Sequence, residues 1–280
     1  MSTTNKLAID GKNSTMRTGI YSSSWIEDSS GKTGVINIAS KDNISLTNKA
    51  EINIQNEAVN LLDKSSGAIK IETKQLDMID SNITTESKGG VPAGEVRVDV
   101  LKNIKMQNSF INSTADKGDG GEIVVNSNEL ISLKNSGFKT TVNGEDSNGG
   151  DISVKAEMLV MDTGLIQANA VSGNGGNINL ALQALIPSEN SLIKGGESID
   201  WNKSPSNIIQ AASQSGVSGT VNNSAPQMNL SGVLANIGNN NFDNRLVSQD
   251  YCATNKGSSL SKKGKGGLPL RSLSLRAKGL

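Results

Sequence analysis

Apolar and polar residues alternate in short phrases along most of the chain. One phrase consists of a glycine, any residue and then an apolar-x-apolar triplet, and it recurs at intervals of about 27 residues. Its six copies begin at Gly34, Gly67, Gly94, Gly121, Gly150 and Gly176. A period of two is typical of a β-strand that buries one face, and repetition at a near-constant interval is typical of a solenoid.

Two further apolar phrases follow each glycine phrase at nearly fixed distances. The second is again apolar-x-apolar, and its copies are Ile44-x-Leu46, Leu76-x-Met78, Ile104-x-Met106, Ile131-x-Leu133 and Leu159-x-Met161. The third follows a short polar corner and contains Ile52 and Ile54, Ile83, Phe110 and Ile111, Phe138, Leu165 and Ile166. Three strands per repeat, without a helical period, predict an all-β fold: a three-sided β-solenoid, or parallel β-helix, with coils of about 27 residues.

The alternation also predicts which side chains form the core. Ile36 and Ile38 should point inward while Val35 and Asn37 point outward, because successive side chains of a strand lie on opposite faces. Glycine and asparagine at corners such as Asp119-Gly120-Gly121 should supply positive φ angles or local side-chain hydrogen bonds. A lone coil leaves its strand edges unpaired, so we expect the coils to be stable only as a stack.

The repeat predicts the organisation of the chain. We interpret residues 34–224 as the β-helix, with five regular coils and one enlarged coil at 181–224. Residues 1–33 form an incomplete first coil in this interpretation, because Leu7-x-Ile9 and Thr15-Met16-Arg17-Thr18 resemble a second and a third phrase without a first. An uncapped coil exposes strand edges, so we expect the chain to be the end of a longer polypeptide. Residues 225–280 are expected to form a C-terminal cap and a basic, disordered tail.

The enlarged coil is recognised by phrases that resume after an irregular stretch. Ile199-x-Trp201 is the next apolar phrase, and Pro187 fits an inserted loop in which no ladder donor is required. The segment Ile208-Ile209-Gln210-Ala211 then repeats Leu165-Ile166-Gln167-Ala168, and Gly219-Thr220-Val221 repeats the glycine phrase. These matches predict that the coil returns to register after its insertion.

Composition restricts the function further. Aromatic residues make up 2% of the chain, His is absent and Cys occurs once, so zinc sites and Cys/His nucleophiles are not expected. The 27 basic and 27 acidic residues balance, which argues against a nucleic-acid partner. The tail has no acid after Asp250 and carries seven basic residues, Lys256, Lys262, Lys263, Lys265, Arg271, Arg276 and Lys278. We interpret it as solvated and disordered rather than as a binding patch.

Targeting signals are not evident in the chain as written. No run of about 18 apolar residues occurs, so we predict no transmembrane helix. The segment after Met1 lacks the charged and apolar regions of a signal peptide. The single Cys252 cannot form a disulfide within the chain, which excludes a disulfide-stapled fold.

Parallel β-helices can carry clustered carboxylates that cleave polysaccharides, so the spacing of the acidic residues bears on whether this chain is an enzyme. Asp77 and Asp80 lie beside Met78 on a second-phrase strand, and Asp162 occupies a related position at least two coils away. Such a separation would not form the close carboxylate pair that glycoside hydrolysis requires. We therefore predict no catalytic residues.

Other motifs have simpler structural explanations. Gly31-Lys32-Thr33 resembles the end of a phosphate loop, but Ile26 stands where its first glycine belongs. Lys117-Gly118-Asp119-Gly120-Gly121 partly resembles a calcium-binding repeat but occurs once, so a corner turn is the better interpretation. Trp25 and Trp201 are candidate sugar-stacking platforms, although packing is the preferred interpretation. We predict no cofactor and no metal site.

The phrases resemble the C-terminal region of filamentous-haemagglutinin-like exoproteins of bacterial two-partner secretion. The most specific stretch runs from Ile208 to Val221 and is followed by Ser224-Ala225-Pro226. Cys252 and Gly264-Lys265-Gly266-Gly267-Leu268-Pro269 resemble the C-terminal signature of that family. The family's N-terminal secretion domain is absent from this chain, and the residues after Pro269 depart from the family pattern.

The resemblance implies a right-handed parallel β-helix, exported through an outer-membrane β-barrel transporter as partner. It implies an extracellular or outer-membrane surface location for the longer exoprotein, and adhesion to an unidentified receptor or glycan. Our leading hypothesis is therefore a non-enzymatic shaft segment of an adhesin. The alternatives are a polysaccharide-binding or polysaccharide-cleaving β-helix and a non-functional remnant of a truncated exoprotein gene.

Overall fold

The computed structural model describes residues 5–24, 33–57, 66–145 and 147–226. This part of the chain is all-β, with parallel strands stacked as a β-solenoid of about 5 turns and roughly 28 residues per coil. The solenoid predicted from the three phrases is therefore confirmed. Of the predicted cap and tail, only residues 225 and 226 are among those described; Trp25 and Cys252 also lie outside them.

Twenty strands are found in the described residues. In chain order they are β1 (Lys6–Asp10), β2 (Thr18–Ser24), β3 (Val35–Ala39), β4 (Asn43–Thr47), β5 (Ala50–Asn56), β6 (Ala68–Thr73), β7 (Gln75–Ile79), β8 (Asn82–Ser87), β9 (Glu95–Val100), β10 (Ile104–Gln107), β11 (Phe110–Ala115), β12 (Ile123–Ser127), β13 (Leu130–Lys134), β14 (Gly137–Val142), β15 (Ile152–Asp162), β16 (Leu165–Ala170), β17 (Ile178–Pro187), β18 (Ile193–Lys194), β19 (Ile208–Gln210) and β20 (Val221–Asn223). A single 3-10 turn, Ser188–Asn190, follows β17.

The strands form three stacks, one for each side of the coil. The first side contains the glycine-phrase strands β3, β6, β9 and β12, and the second contains β1, β4, β7, β10 and β13. These two sides belong to one 12-stranded sheet, because the long strands β15 and β17 run through the corner between them. The third side is an 8-stranded sheet of β2, β5, β8, β11, β14, β16, β19 and β18.

Equivalent residues of successive coils pair in register. On the third side, one inward row runs through Ile52, Ile83, Ile111, Phe138, Ile166 and Ile209. All six side chains are buried. The predicted orientation of the first side is also confirmed, since Ile36 and Ile38 are buried while Val35 is 56% exposed. The core is thus a column of aliphatic rows, with Phe138 as its largest fully buried side chain.

A row of buried serines accompanies the aliphatic rows, and the sequence analysis did not predict it. Ser81, Ser109 and Ser136 are completely buried where the second side turns into the third. The Ser109 hydroxyl donates to the Gln107 carbonyl at 2.8 Å and accepts the Ser81 backbone N–H at 3.1 Å. Ser136 repeats both bonds one coil further on. Each hydroxyl therefore satisfies a buried backbone donor of the preceding coil.

The same corner requires left-handed backbone conformations. Asn48, Asp80, Asn108, Asn135 and Thr163 have φ angles of 55°, 50°, 48°, 45° and 57°. Asparagine and aspartate tolerate this region better than most residues, and their side chains bond along the row. The Asn108 amide, for example, donates to the Asp80 carboxylate at 2.9 Å. The predicted role of asparagine at corners is confirmed here.

Glycine occupies the first position of each glycine phrase for a reason other than a positive φ angle. Among the described glycines, only Gly195 and Gly196 have positive φ. A Cβ on Gly121 would lie 2.1 Å from the Gly94 carbonyl oxygen, and one on Gly150 would lie 2.2 Å from that of Gly121. Glycine is thus required because successive coils pass too closely for any side chain. Of the two means predicted for the corner Asp119-Gly120-Gly121, positive φ is not found, whereas a side-chain hydrogen bond is, since the Asp119 carboxylate accepts the Asn148 backbone N–H.

The first strands fit the predicted phrases with one correction. Leu7 pairs with Ile44 and Ile9 with Leu46, which confirms β1 as a second-side strand. The third-side strand begins at Thr18 rather than Thr15, since the register pairs Thr18 with Ala50 and Ile20 with Ile52. The aliphatic alternation starts at Ile20, so the earlier segment leads into the strand.

The enlarged coil returns to register as predicted, but its strands differ. Ile208 pairs with Leu165 and Val221 with Ile178, which confirms the two repeated phrases. Ile199-x-Trp201 is not a strand; the second-side position is occupied by the end of β17, where Leu185 pairs with Leu159. Pro187 is the last residue of this strand, a position where its missing N–H interrupts no interior ladder bond.

Replacing a stacked glycine should disrupt coil packing. We expect Gly121→Ala to lower the free energy of unfolding by about 1–3 kcal/mol, because its Cβ meets backbone rather than a movable side chain. Gly34→Ala is the matched control, since its Cβ would meet only the Ser22 hydroxyl at 3.3 Å. Urea unfolding followed by circular dichroism measures both, and equal effects would contradict the close-packing explanation.

The serine row provides a second prediction. Ser109→Ala removes the acceptor of the buried Ser81 N–H, so we expect a loss of about 1–3 kcal/mol in unfolding free energy. Ser132→Ala changes a partly exposed serine on β13 and should have little effect. Amide hydrogen exchange at Ser81 should accelerate in the first variant alone; unchanged exchange there would show that the hydroxyl is not its essential partner.

Candidate functional site

A polar groove lies on the outer surface of the third side. Its floor consists of the outward residues of β11, β14 and β16, and its wall is part of the loop inserted between β18 and β19. The groove has a volume of about 530 Å³, within the range of roughly 300–1,000 Å³ typical of small-ligand sites.

The floor contains two rows that run along the solenoid axis. Asn112, Lys139 and Gln167 form one row, because the register places them side by side on successive coils. Thr141 and Asn169 form the next row, two residues further along each strand. Since neighbouring parallel strands are about 4.8 Å apart, each row presents polar groups at that spacing.

A buried glutamine holds the wall of the groove. Gln210 lies completely buried in β19, and its amide nitrogen donates to the carbonyl oxygens of Gly195, at 3.0 Å, and of Glu197. Its amide oxygen accepts the Ile199 backbone N–H at 3.0 Å. The side chain thus binds the inserted loop through the loop's own backbone, as a neighbouring strand would.

Two further amides extend these contacts to the preceding coil. The Gln167 amide nitrogen donates to the Ile199 carbonyl at 3.0 Å and to the Gln210 side-chain oxygen at 3.1 Å. Asn169 donates to the Ser198 hydroxyl at 3.0 Å. The groove wall is therefore attached to two coils, and these amides are committed to the loop rather than to a ligand.

Trp201 is the aromatic residue of this wall. Its ring meets Phe110 of β11 edge to face, with ring centroids 5.5 Å apart and an interplanar angle of 79°. Its indole N–H donates to the Ser206 carbonyl at 2.9 Å, which fixes the orientation of the ring. The expected packing role is confirmed, and Trp201 also lines the groove, so the two interpretations are compatible.

Charges in the groove are few and largely compensated. Asp200 and Lys203 form an ion pair at 3.1 Å. The hydrogen bond from Lys203 lowers the pKa of Asp200, and Lys139 on the floor lowers it further through its positive charge. Asp200 is consequently ionised at neutral pH, which makes it unsuited to act as a general acid.

The carboxylates named in the sequence analysis are not brought together. Asp77 accepts the Asn43 amide at 3.1 Å on the second side, and Asp80 accepts from Asn108 at the corner. Asp162 ends β15, which lies three coil steps beyond β7, or roughly 14 Å along the axis. This exceeds the separation of about 5–9.5 Å between the carboxyl groups of glycoside hydrolases.

The remaining motifs have structural roles where they are described. The Thr33 hydroxyl accepts the Gly67 N–H at 3.0 Å. Asp119 accepts the Asn148 backbone N–H at 2.7 Å, so its carboxylate belongs to a corner turn, as predicted. No group of three or more metal-ligating side chains occurs among the described residues, and none of their helices is long and apolar enough to cross a membrane.

Sequence reasoning missed the groove, because its wall comes from an insertion that carries no repeat phrase. Three amides attach that wall: Gln167, Asn169 and Gln210. The repeated Ile-Gln-Ala at 166–168 and 209–211 was the available signal, since both phrases place a glutamine at the same outward position. Comparison with protein-family models, curated proteins and solved structures gave no match to this chain.

Removing the Gln210 amide should release the groove wall. We expect Gln210→Ala to make trypsin cleavage after Lys194 and Lys203 at least tenfold faster, because the loop loses its main backbone partners. Gln107→Ala, which alters an exposed glutamine on β10, should leave the rate unchanged. Mass spectrometry of the fragments measures both rates, and unchanged cleavage at both lysines would contradict the anchoring role.

Proposed function

We propose that the chain is a non-enzymatic shaft segment of an adhesin-like surface protein. The observation that carries this proposal is the continuity of the three strand stacks, each paired coil to coil through most of the described residues. Such a solenoid is quasi-one-dimensional: it grows by adding coils without changing its cross-section. This architecture suits a segment whose task is to extend and to present a lateral surface.

Polar contacts between coils support a structural role for the outer surface. Arg17 bonds to Glu51 at 3.0 Å and Lys88 to Glu57 at 3.0 Å, in each case between neighbouring coils. These exposed pairs contribute little energy individually. At both positions an acid and a base of neighbouring coils face each other along the axis.

The placement of the acids favours presentation over catalysis. Asp77, Asp80 and Asp162 are separated by neighbouring coils or bonded to asparagine amides. Asp200 is the one acid in the groove lining, and its pKa is lowered by Lys203. Glycoside cleavage by the usual mechanism needs two carboxyl groups, one of them with a raised pKa.

The proposal includes export from the cell, because the chain resembles filamentous-haemagglutinin-like exoproteins. In that proposal an outer-membrane β-barrel transporter carries the longer protein, and the solenoid is displayed at the cell surface. The phrases Ile208–Gln210 and Val221–Asn223, which lie in the most specific stretch of the resemblance, occupy in-register positions of the final described coil. Their role as strands supports the comparison of this coil with the final coil of that family.

Surface display can be tested on intact cells of the source organism. An antibody against the purified chain should label unpermeabilised cells, because the proposed segment lies outside the outer membrane. An antibody against a cytoplasmic enzyme serves as the control and should label only permeabilised cells. Labelling of the chain that also requires permeabilisation would refute the surface location.

The absence of catalysis is a separate prediction. Purified chain incubated with pectic, cellulosic and chitinous polysaccharides should release no more reducing ends than a buffer control, because no suitable carboxylate pair is formed by the acids described above. Turnover that a single Asp200→Asn substitution abolishes would overturn the non-enzymatic proposal. Turnover unaffected by that change would direct attention to a contaminating hydrolase.

A further inference from the structure

Three Asn-Gly pairs occur in the chain: Asn143-Gly144, Asn148-Gly149 and Asn174-Gly175. In such a pair the glycine nitrogen can attack the side-chain amide carbon of the asparagine, because glycine has no Cβ to obstruct its approach. The attack requires that the Asn-Gly peptide group rotate toward the side chain. All three asparagines are exposed, so the hydrogen bonds of each peptide group decide whether it can rotate.

The Asn148-Gly149 peptide group is held between neighbouring coils. Its carbonyl oxygen accepts the Gly120 N–H at 2.8 Å, and its N–H donates to the Asn174 carbonyl at 2.8 Å. The Asn148 side-chain oxygen also accepts the Asn174 backbone N–H at 3.1 Å. Rotation of this peptide group therefore breaks hydrogen bonds to both neighbouring coils.

The Asn174-Gly175 peptide group is held in the same way. Its carbonyl oxygen accepts the Gly149 N–H at 2.8 Å, and its N–H donates to the Val217 carbonyl at 2.9 Å. The Asn174 side-chain oxygen accepts the Val217 backbone N–H at 3.1 Å. Attack by the Gly175 nitrogen thus requires the same loss of pairing between coils.

The Asn143-Gly144 peptide group, which follows β14, differs from both. Neither its carbonyl oxygen nor its N–H forms a hydrogen bond with another described residue. The Asn143 side chain makes one exposed contact, in which its amide nitrogen donates to the Asp116 carboxylate at 3.0 Å. We propose that Asn143 is a site of spontaneous deamidation, from which stacking of the coils protects Asn148 and Asn174.

The reaction consumes one water molecule and releases one ammonia. The Gly144 nitrogen loses its proton to solvent base and forms a bond to Cγ of Asn143. The bond between Cγ and the amide nitrogen breaks, and this nitrogen takes up a proton from water and leaves as ammonia. Water then opens the resulting five-membered succinimide at either carbonyl, which gives aspartate or isoaspartate. Because the attacking nitrogen is first deprotonated, the rate should rise with pH.

Deamidation changes the electrostatics of this corner. The Asn143 amide donates to the Asp116 carboxylate, whereas the product places a second carboxylate at the same position. Two neighbouring carboxylates repel each other, so an attractive contact between coils becomes a repulsive one. Asn143 also lines the groove, which therefore gains a negative charge as the protein ages.

Timed incubation of the folded chain at neutral and mildly alkaline pH measures the reaction. After denaturation, trypsin cuts behind Lys139 and Lys155, so one peptide contains both Asn143 and Asn148. Tandem mass spectrometry locates the conversion within it. We expect Asn143 to convert at least about tenfold faster than Asn148 or Asn174, because several hydrogen bonds break before the latter two can react.

The same chain incubated in guanidinium chloride is the matched control. Unfolding removes the pairing between coils, so the three Asn-Gly pairs should then convert at similar rates. Asn143→Gln provides a second control, because attack on its longer side chain has to close a six-membered ring. Conversion at position 143 should cease in this variant, while Asn148 reacts as slowly as in the unaltered folded chain.

Three results would overturn the proposal. The first is equal or faster conversion of Asn148 or Asn174 in the folded chain, and the second is no conversion of Asn143 there while the denatured chain reacts. The third is an advantage of Asn143 that persists unchanged in guanidinium chloride, which would assign it to local sequence. None of these outcomes bears on surface display, which the antibody labelling tests independently.

Discussion

Hydrogen bonding between successive coils is the constraint on which the rest of the structure depends. Each coil donates to and accepts from its neighbours about one coil length away in sequence, so every position is repeated above and below itself. A coil cannot satisfy its strand edges alone, whereas a stacked coil satisfies them on both sides. Side chains are therefore selected for what lies at the same position of the next coil.

Several residue preferences follow from this repetition. The glycine phrase exists because the carbonyl of one coil occupies the space where a Cβ of the next would lie. Buried Ser109 bonds both to its own coil and to the N–H of Ser81, and Ser136 does the same for Ser109. The left-handed corner recurs because a change of conformation in one coil would displace its pairing with both neighbours. Serine hydroxyls can thus be buried at this corner, since each finds a backbone partner in its own coil and in the preceding one.

The enlarged coil shows how such a fold acquires a specific site. Part of its insertion, β18, pairs with β19, while the loop at 195–207 leaves the third side and returns at Ile208, so the pairing of β19 with β16 is kept. Gln210 and Gln167 then attach that segment to the outer surface through backbone hydrogen bonds. Regular coils provide a flat polar floor, and the insertion provides the wall that makes it concave. In this solenoid, a distinct concave site therefore forms where the regular repeat is interrupted.

The sequence by itself determined the solenoid, its three strand stacks and the return of the enlarged coil. Period-two alternation identifies the inward side chains. The similarity between the segments Leu165–Ala168 and Ile208–Ala211 predicts that they pair with each other, as β16 and β19 do. Only the tertiary structure shows the physical reason for glycine at position 121, the row of buried serines and the groove lined by Trp201. These depend on close approaches between coils and on an insertion whose contacts lie far apart in sequence, as in the 5.5 Å packing of Trp201 against Phe110. The alternation of apolar and polar residues predicts whether a side chain points inward or outward. Which atoms that side chain contacts depends on how the coils stack.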